Sequence, residues 1–164
     1  MAEALLDKDA VLEAHAANPA IASLLALDPA IIANAKFDRG ELTLTIARES
    51  IVAVAKTVQQ AGYNFLEDVT CVDWLPREPR FQVVYHIVSH SLKARIRLHV
   101  MVDSIDPSLD SIVPVWPSAN FYEREVFDLF GVRFAGHPNL RRIMLPEEWD
   151  GHPLRKDYPV EGYR

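Results

Sequence analysis

A carboxylate placed where only apolar side chains belong constrains this chain more than any other feature. Residues 123–131 read Glu-Arg-Glu-Val-Phe-Asp-Leu-Phe-Gly. At about 100° per residue a helix gathers Val126, Phe127, Leu129 and Phe130 on one arc and sets Arg124, Glu125 and Asp128 opposite. Glu123 points into the middle of the apolar arc, where an unpaired carboxylate is costly, so the fold must supply a partner. Two are available. With Asn120 as the N-cap, Glu123 is the third helical residue and can reach back to the Asn120 amide as in a capping box. Alternatively, a guanidinium of Arg141 or Arg142 returns over the helix once Gly131 has ended it as the C′ residue. Arg124 and Asp128 are i,i+4 neighbours and can pair along the other face. So dense a charge cluster beside Phe127 and Phe130 exceeds what capping requires and points to docking of defined geometry.

Upstream, periodicity predicts the scaffold that carries this helix. Leu5, Leu6, Val11, Leu12 and Ala16 have helical spacing over residues 4–17; Asn18 and Pro19 open a second helix to Leu27, which Asp28-Pro29 breaks. Apolar segments 31–37 and 41–47 flank Asp38-Arg39-Gly40 as a hairpin, with Leu42, Leu44 and Ile46 on one face. Ser50 can cap a helix to about Ala61 that turns Ile51, Val54, Ala55 and Val58 inward, with Gly62 as its stop. Segments 65–73, 81–90 and 94–103 are three strands, and the last alternates cleanly, Ile96, Leu98, Val100 and Val102 against Arg95, Arg97, His99 and Met101. Residues 107–111 can start a helical turn. The expected fold is α/β of the α+β type: a mixed four- to five-stranded sheet with helices mainly on one face, followed by an extended C-terminal arm. Residues 1–30 read as an N-terminal helical extension, 31–131 as the α/β domain ending in the charged helix, and 132–164 as a partner-binding arm.

The arm has neither helical nor strand period, and a structureless stretch of that length in a compact domain signals disorder or binding. Its Trp149, Tyr158, Tyr163 and arginines are interface residues, whereas disordered tails are poor in them, so an ordered arm laid on a partner is expected.

Composition narrows the chemistry. A net charge of −6 argues against nucleic acid, with seven acidic against three basic side chains in residues 1–47. One cysteine, Cys71, excludes an internal disulfide and a cluster held by four thiolates; it reads as a small core residue. The start has no secretory pattern, and no run of about 18 apolar residues occurs, so a soluble or at most peripheral protein is expected. Glu125, Asp128 and His137 form a metal or acid–base site only if the chain after Gly131 folds back, and no His-x-x-x-His pattern supports them. His86 and His90, four apart on a strand, are about 13 Å separated and cannot share an ion. Arg95, Arg97 and His99 form a basic sheet face that is solvated or meets an acidic partner or a phosphate. Phosphate-loop, nucleophile-elbow and dinucleotide motifs are missing.

The run Glu123-Arg124-Glu125-x-x-Asp128-Leu129-Phe130, then His137, then Arg141-x-Ile143-Met144, resembles the signature of the C-subunit family of respiratory NADH-quinone oxidoreductase, complex I. Residues 145–159 resemble that family closely; Val72-Asp73, residues 81–85 and 116–120 do so more weakly, and residues 1–30 match no motif. The resemblance implies a non-catalytic structural subunit of the peripheral arm of a proton-translocating enzyme. It would clamp the hydrogenase-large-subunit-like neighbour that forms the quinone site and adjoin iron–sulfur subunits, at the cytoplasmic face of the inner membrane. NADH, FMN, iron–sulfur clusters and quinone would belong to the assembled complex and none to this chain. Because the sequence ends at Arg164 without the quinone-site neighbour to which some relatives are fused, a separate polypeptide is expected. Membrane-bound hydrogenases, formate hydrogenlyases and ferredoxin-linked dehydrogenases carry similar subunits. Arg124 with Asp128, and Glu123 or Glu125 with Arg141 or Arg142, would fix the arm's departure. Trp149, Leu154 and Tyr158 would bury against the partner, and Arg155 and Lys156 would pair with its acidic groups.

Overall fold

The structure is a computed structural model that describes residues 7–162. Asp7 caps helix α1 (Lys8–Ala14), its carboxylate accepting from the Ala10 N–H at 3.0 Å, and Asn18 does the same for α2 (Pro19–Leu27) through Ala20. Leu5, Leu6 and Tyr163 lie outside the described residues, and α1 is shorter than the helix expected over 4–17. Strands β1 (Ile32–Asp38) and β2 (Glu41–Ile46) form the expected hairpin, whose two central residues, Arg39 and Gly40, take φ of 54° and 82°. Helix α3 (Ile51–Gln60) buries Ile51, Val54, Ala55 and Val58 as predicted; Ser50 precedes it but makes no side-chain cap bond, since a short 3₁₀ turn leads into the helix.

Strands β3 (Phe65–Asp73), β4 (Phe81–Ser89) and β5 (Ala94–Val102) complete a mixed five-stranded sheet in the order β1-β2-β5-β4-β3, in which only β2 and β5 run parallel. Register explains its two faces. Leu44, Leu98, Tyr85 and Val69 stand in one cross-strand row, all buried, and share a core with Val11, Leu12, Ile21, Leu24, Val54, Val58, Val126 and Phe130 of the helices. The neighbouring row, Thr43, Arg97, His86 and Asp68, lies on the opposite, uncovered face. There the basic side chains pair within the sheet: Arg97 with Glu41, Arg95 with Glu67 at 3.3 Å, and Gln82 with His99 Nδ1 at 3.0 Å. Both edge strands carry an irregularity, at Ile32/Asn34 and Leu66/Asp68, which blunts them against further pairing.

One element differs from expectation. Residues 107–111 do not turn into a helix; Ser108–Asp110 is strand β6, paired parallel with β7 (Arg133–Ala135), and Leu109 and Phe134 face each other buried. Three residues are too few to carry a period, and the pairing partner lies beyond helix α4 (Ala119–Phe130).

Candidate functional site

The charged helix is the centre of the site, and the structure rearranges its expected partners. Helix α4 starts after Ser118, not Asn120, and ends at Gly131 in the left-handed region with φ 74°. Glu123 is fully buried, but neither capping of Asn120 nor a guanidinium from Arg141 or Arg142 satisfies it. Its carboxyl accepts from Ser111 Oγ at 2.6 Å and from the Ile112 N–H at 2.8 Å. Burial pushes this carboxyl up to about 7, against the downward pull of those two bonds. The helix that buries it turns it toward segment 111–113, which directly follows β6.

The expected Arg124–Asp128 pair is likewise replaced, because both side chains reach across to the chain that returns over α4. Arg124 donates Nε to the Arg141 carbonyl and Nη2 to that of Arg142, each at 3.1 Å. Asp128, fully buried, takes Arg142 Nη1 at 2.6 Å on one oxygen and the N–H groups of Ile143, Met144 and Leu145 at 2.9, 2.7 and 3.0 Å on the other. Burial acts to raise the Asp128 carboxyl, but Arg142 and the three amides outweigh it and hold the group below its ordinary value. A segment with no ladder of its own has unpaired backbone groups; Arg124 and Asp128 satisfy them.

The same segment caps the end of α4, whose last carbonyls have no intrahelical donors. The Asp128 carbonyl accepts from Arg142 Nη1 at 3.2 Å and His152 Nδ1 at 2.8 Å, the Leu129 carbonyl from the Leu154 N–H at 3.1 Å, and the Phe130 carbonyl from Arg155 Nε. Two guanidinium groups therefore sit where the helix dipole is negative. Gly131 leaves room for them: a Cβ there would meet the His152 ring at 2.6 Å and the Arg155 guanidinium.

A second anchor fixes the far end. Arg80 donates two bonds to Asp73, at 2.9 and 2.7 Å, and two to Asp157, at 3.0 and 2.7 Å, while the Lys156 N–H reaches Asp73 at 2.8 Å. Arg80 and Arg155 both lie over the Phe81 ring, 4.8 and 5.1 Å from its centroid. No pattern in the sequence marks Arg80, which reads as a turn residue between Pro79 and Phe81, nor Ser111 or His152.

The remaining candidates fall in place around these anchors. Glu125 and Arg141 are exposed; His137 bonds through Nε2 to the Asn120 carbonyl at 3.1 Å and through Nδ1 to the Asn139 N–H at 3.0 Å. Glu125, Asp128 and His137 are thus not brought together as ligands, and among the described residues no group of three or more His, Cys, Asp or Glu side chains could hold a metal. Cys71 is buried, its thiol pushed up to about 12 by burial and then by Asp73, and a single inert thiol does not fit an iron–sulfur cluster. Arg155 donates Nε to the Phe130 carbonyl, and Lys156 contacts the domain through its backbone, its side chain being exposed. Tyr158 is partly buried and donates its hydroxyl to the Asp150 carbonyl at 3.3 Å. Where the sequence reading lays the arm on a partner, these bonds anchor it on its own domain, with Arg142, His152, Arg155 and the N–H groups of residues 143–145 and Lys156 turned inward. Ile143, Met144, Trp149 and Leu154, 38, 61, 41 and 49 % exposed, turn out. Among the described residues no helix is long and apolar enough to cross a membrane.

Fold and site together define a small α+β domain whose last helix is stapled by a polar-anchored strap that exposes several large apolar side chains. The chain belongs to the family of the respiratory-chain NADH dehydrogenase 30 Kd subunit, whose family model matches residues 44–164. It is similar to the NADH-quinone oxidoreductase C-subunit of Roseiflexus sp. (strain RS-1), 50 % identical over 138 residues that cover 82 % of this chain and 79 % of the relative. To the C-subunit of Geobacter sulfurreducens (strain ATCC 51573 / DSM 12127 / PCA) it is 47 % identical over 147 residues, 88 % of this chain and 91 % of that one. Among solved structures it resembles the trypsin-resistant fragment (1–134) of Nqo5, with TM-score 0.59 and 40 % identity over 62 % of this chain and 83 % of that one. It also resembles a chain of the membrane-bound sulfane sulfur reductase, an archaeal respiratory membrane complex, with TM-score 0.73 and 25 % identity over 85 % of this chain and 84 % of that one. The family is one of complex I, in respiratory electron transport.

Proposed function

We propose that this chain is a non-catalytic structural subunit of the peripheral arm of a proton-translocating NADH-quinone oxidoreductase, peripheral to the cytoplasmic face of the membrane. Its stapled segment 137–158 clamps the hydrogenase-large-subunit-like, quinone-site neighbour and adjoins iron–sulfur subunits; NADH, FMN, clusters and quinone reside in those other chains. The observation that carries this reading is the two-sidedness of the segment. Arg142, His152, Arg155, Asp157 and the N–H groups of residues 143–145 and Lys156 bond α4, Asp73 and Arg80, while Ile143, Met144, Trp149 and Leu154 are left exposed to solvent. Pre-ordering lowers the entropic cost of docking, and buried aromatic and aliphatic anchors dominate interface energies. The likeness to the chain of the sulfane sulfur reductase favours a second reading, the same scaffold role in a related membrane-bound complex.

The test is the double substitution Trp149→Ser with Leu154→Ser, which removes outward contacts and leaves every anchor intact. The isolated variant should unfold within about 1 kcal/mol of the parent. Its co-purification with the other subunits should drop at least about tenfold, one such anchor being worth over about 1 kcal/mol. Incorporation at native stoichiometry would overturn the reading.

A further inference from the structure

Three enclosed carboxyl groups hold this fold together, and one of them is unlike the others. Asp73 and Asp128 each face a guanidinium and several backbone N–H groups. Glu123 is as deeply buried, yet among the described residues its hydrogen-bond partners are two neutral groups, Ser111 Oγ and the Ile112 N–H. From the sheet, Tyr85 of β4 lies within electrostatic reach of both Glu123 and Cys71 of β3; on its own helix, Arg124 and Asp128 turn to the strap. Among the described residues no cation pairs with it. Among the described residues the Tyr85 hydroxyl is itself buried without a hydrogen-bond partner, and they offer a carboxylate charge neither a counter-ion nor a further donor in place. An ion enclosed by two neutral donors is strongly disfavoured relative to the same group carrying a proton.

We propose that Glu123 is a proton-binding site: in the folded protein it is held as a neutral carboxylic acid hydrogen-bonded to Ser111, and losing that proton loosens segment 111–113 against α4. Ser111 Oγ donates to the carboxyl at 2.6 Å and itself accepts the Val113 N–H at 3.2 Å, so one hydroxyl ties the protonated group to segment 111–113. The direction of the burial effect agrees, since no attractive charge offsets it. The pH dependence has a fixed sign. A carboxyl raised from 4.5 to about 7 on folding contributes stability fully below the unfolded value and loses it as pH rises through the folded one.

The experiment follows the Glu123 side-chain carboxyl carbon by NMR in the full-length chain from pH 4 to 9, alongside Ser111→Ala and Glu123→Gln. The expected midpoint is near 7, well above the ordinary glutamate value. Ser111→Ala should move it higher, because the hydroxyl favours the charged form, and a merely structural contact would leave it unmoved. Thermal unfolding should place Glu123→Gln close to the parent near pH 5 and above it near pH 8. A carboxylate signal already present at pH 5.5, or a Glu123→Gln deficit of equal size at both pH values, would overturn the proposal.

Discussion

Asp73 is an anion for the reason Glu123 is not. Burial acts to raise its carboxyl, but two bonds from Arg80 and the N–H groups of Lys156 and Leu75 outweigh it and hold the group at about 2. A carboxyl depressed on folding from 3.8 stabilises the native state above the unfolded value and loses that contribution as pH falls through the folded one. Urea unfolding should therefore show the parent losing about 2 kcal/mol from this group between about pH 4 and pH 2. Asp73→Asn, which keeps the shape but cannot titrate, should be less stable at pH 7 and flatter over that acid range; an unchanged acid limb would refute the assignment. At this scale the sequence discloses needs better than partners. Glu123 in an apolar arc announces that a partner must exist, but Ser111 lies in a segment of no detectable period. Asp73 and Arg80, seven apart, straddle a turn whose path only the fold decides.

Elements with a period are legible in the sequence, and those without one are not. The alternation of Ile96, Leu98, Val100 and Val102 locates β5 and its buried face, and the spacing of Ile51, Val54, Ala55 and Val58 locates α3. Helix α4 is equally legible, but periodicity assigns its charged side to the face away from the core, because amphipathicity distinguishes apolar from polar and not core from strap. The strap's order comes from capping carbonyls 128–130 and from the Asp128 carboxylate, interactions that leave no repeat in its own sequence. Gly131 is the hinge of that arrangement, since it combines a φ of 74° with a Cβ position 2.6 Å from the His152 ring. Gly131→Ala should cost roughly 1–2 kcal/mol through backbone strain alone. It should also lift residues 152–155 off the helix, so trypsin should cut after Arg155 or Lys156 several-fold faster while amide protection in β3, β4 and β5 is kept. Equal cleavage rates in parent and variant would show that the strap does not rest on Gly131.

Among the described residues, ion pairs gather on the uncovered sheet face, and large apolar side chains lie exposed elsewhere. The uncovered sheet face pairs Arg97 with Glu41, Arg95 with Glu67 and Lys36 with Asp38. The exposed Val72, Trp74 and Leu75 adjoin Asp73, the carboxylate to which both the Leu75 and Lys156 N–H groups are bonded, so this rim continues into the outward side of the strap. Fold and the docking surface proposed above thus share residues 137–158, and on that proposal removing the segment affects both. Truncation after Gly136 deprives Asp128 of Arg142 and three amides, Arg80 of Asp157, and the carbonyls of α4 of their caps. Each enclosed charged or polar group left unsatisfied costs about 1–3 kcal/mol, so the truncate should unfold several kcal/mol sooner than the full chain and fail to join the complex. The Trp149→Ser, Leu154→Ser variant should fail to join at nearly parental stability. If instead the truncate melts with the full-length chain, the bonds between strap and helix contribute nothing, and the strap is held by something other than the groups named above.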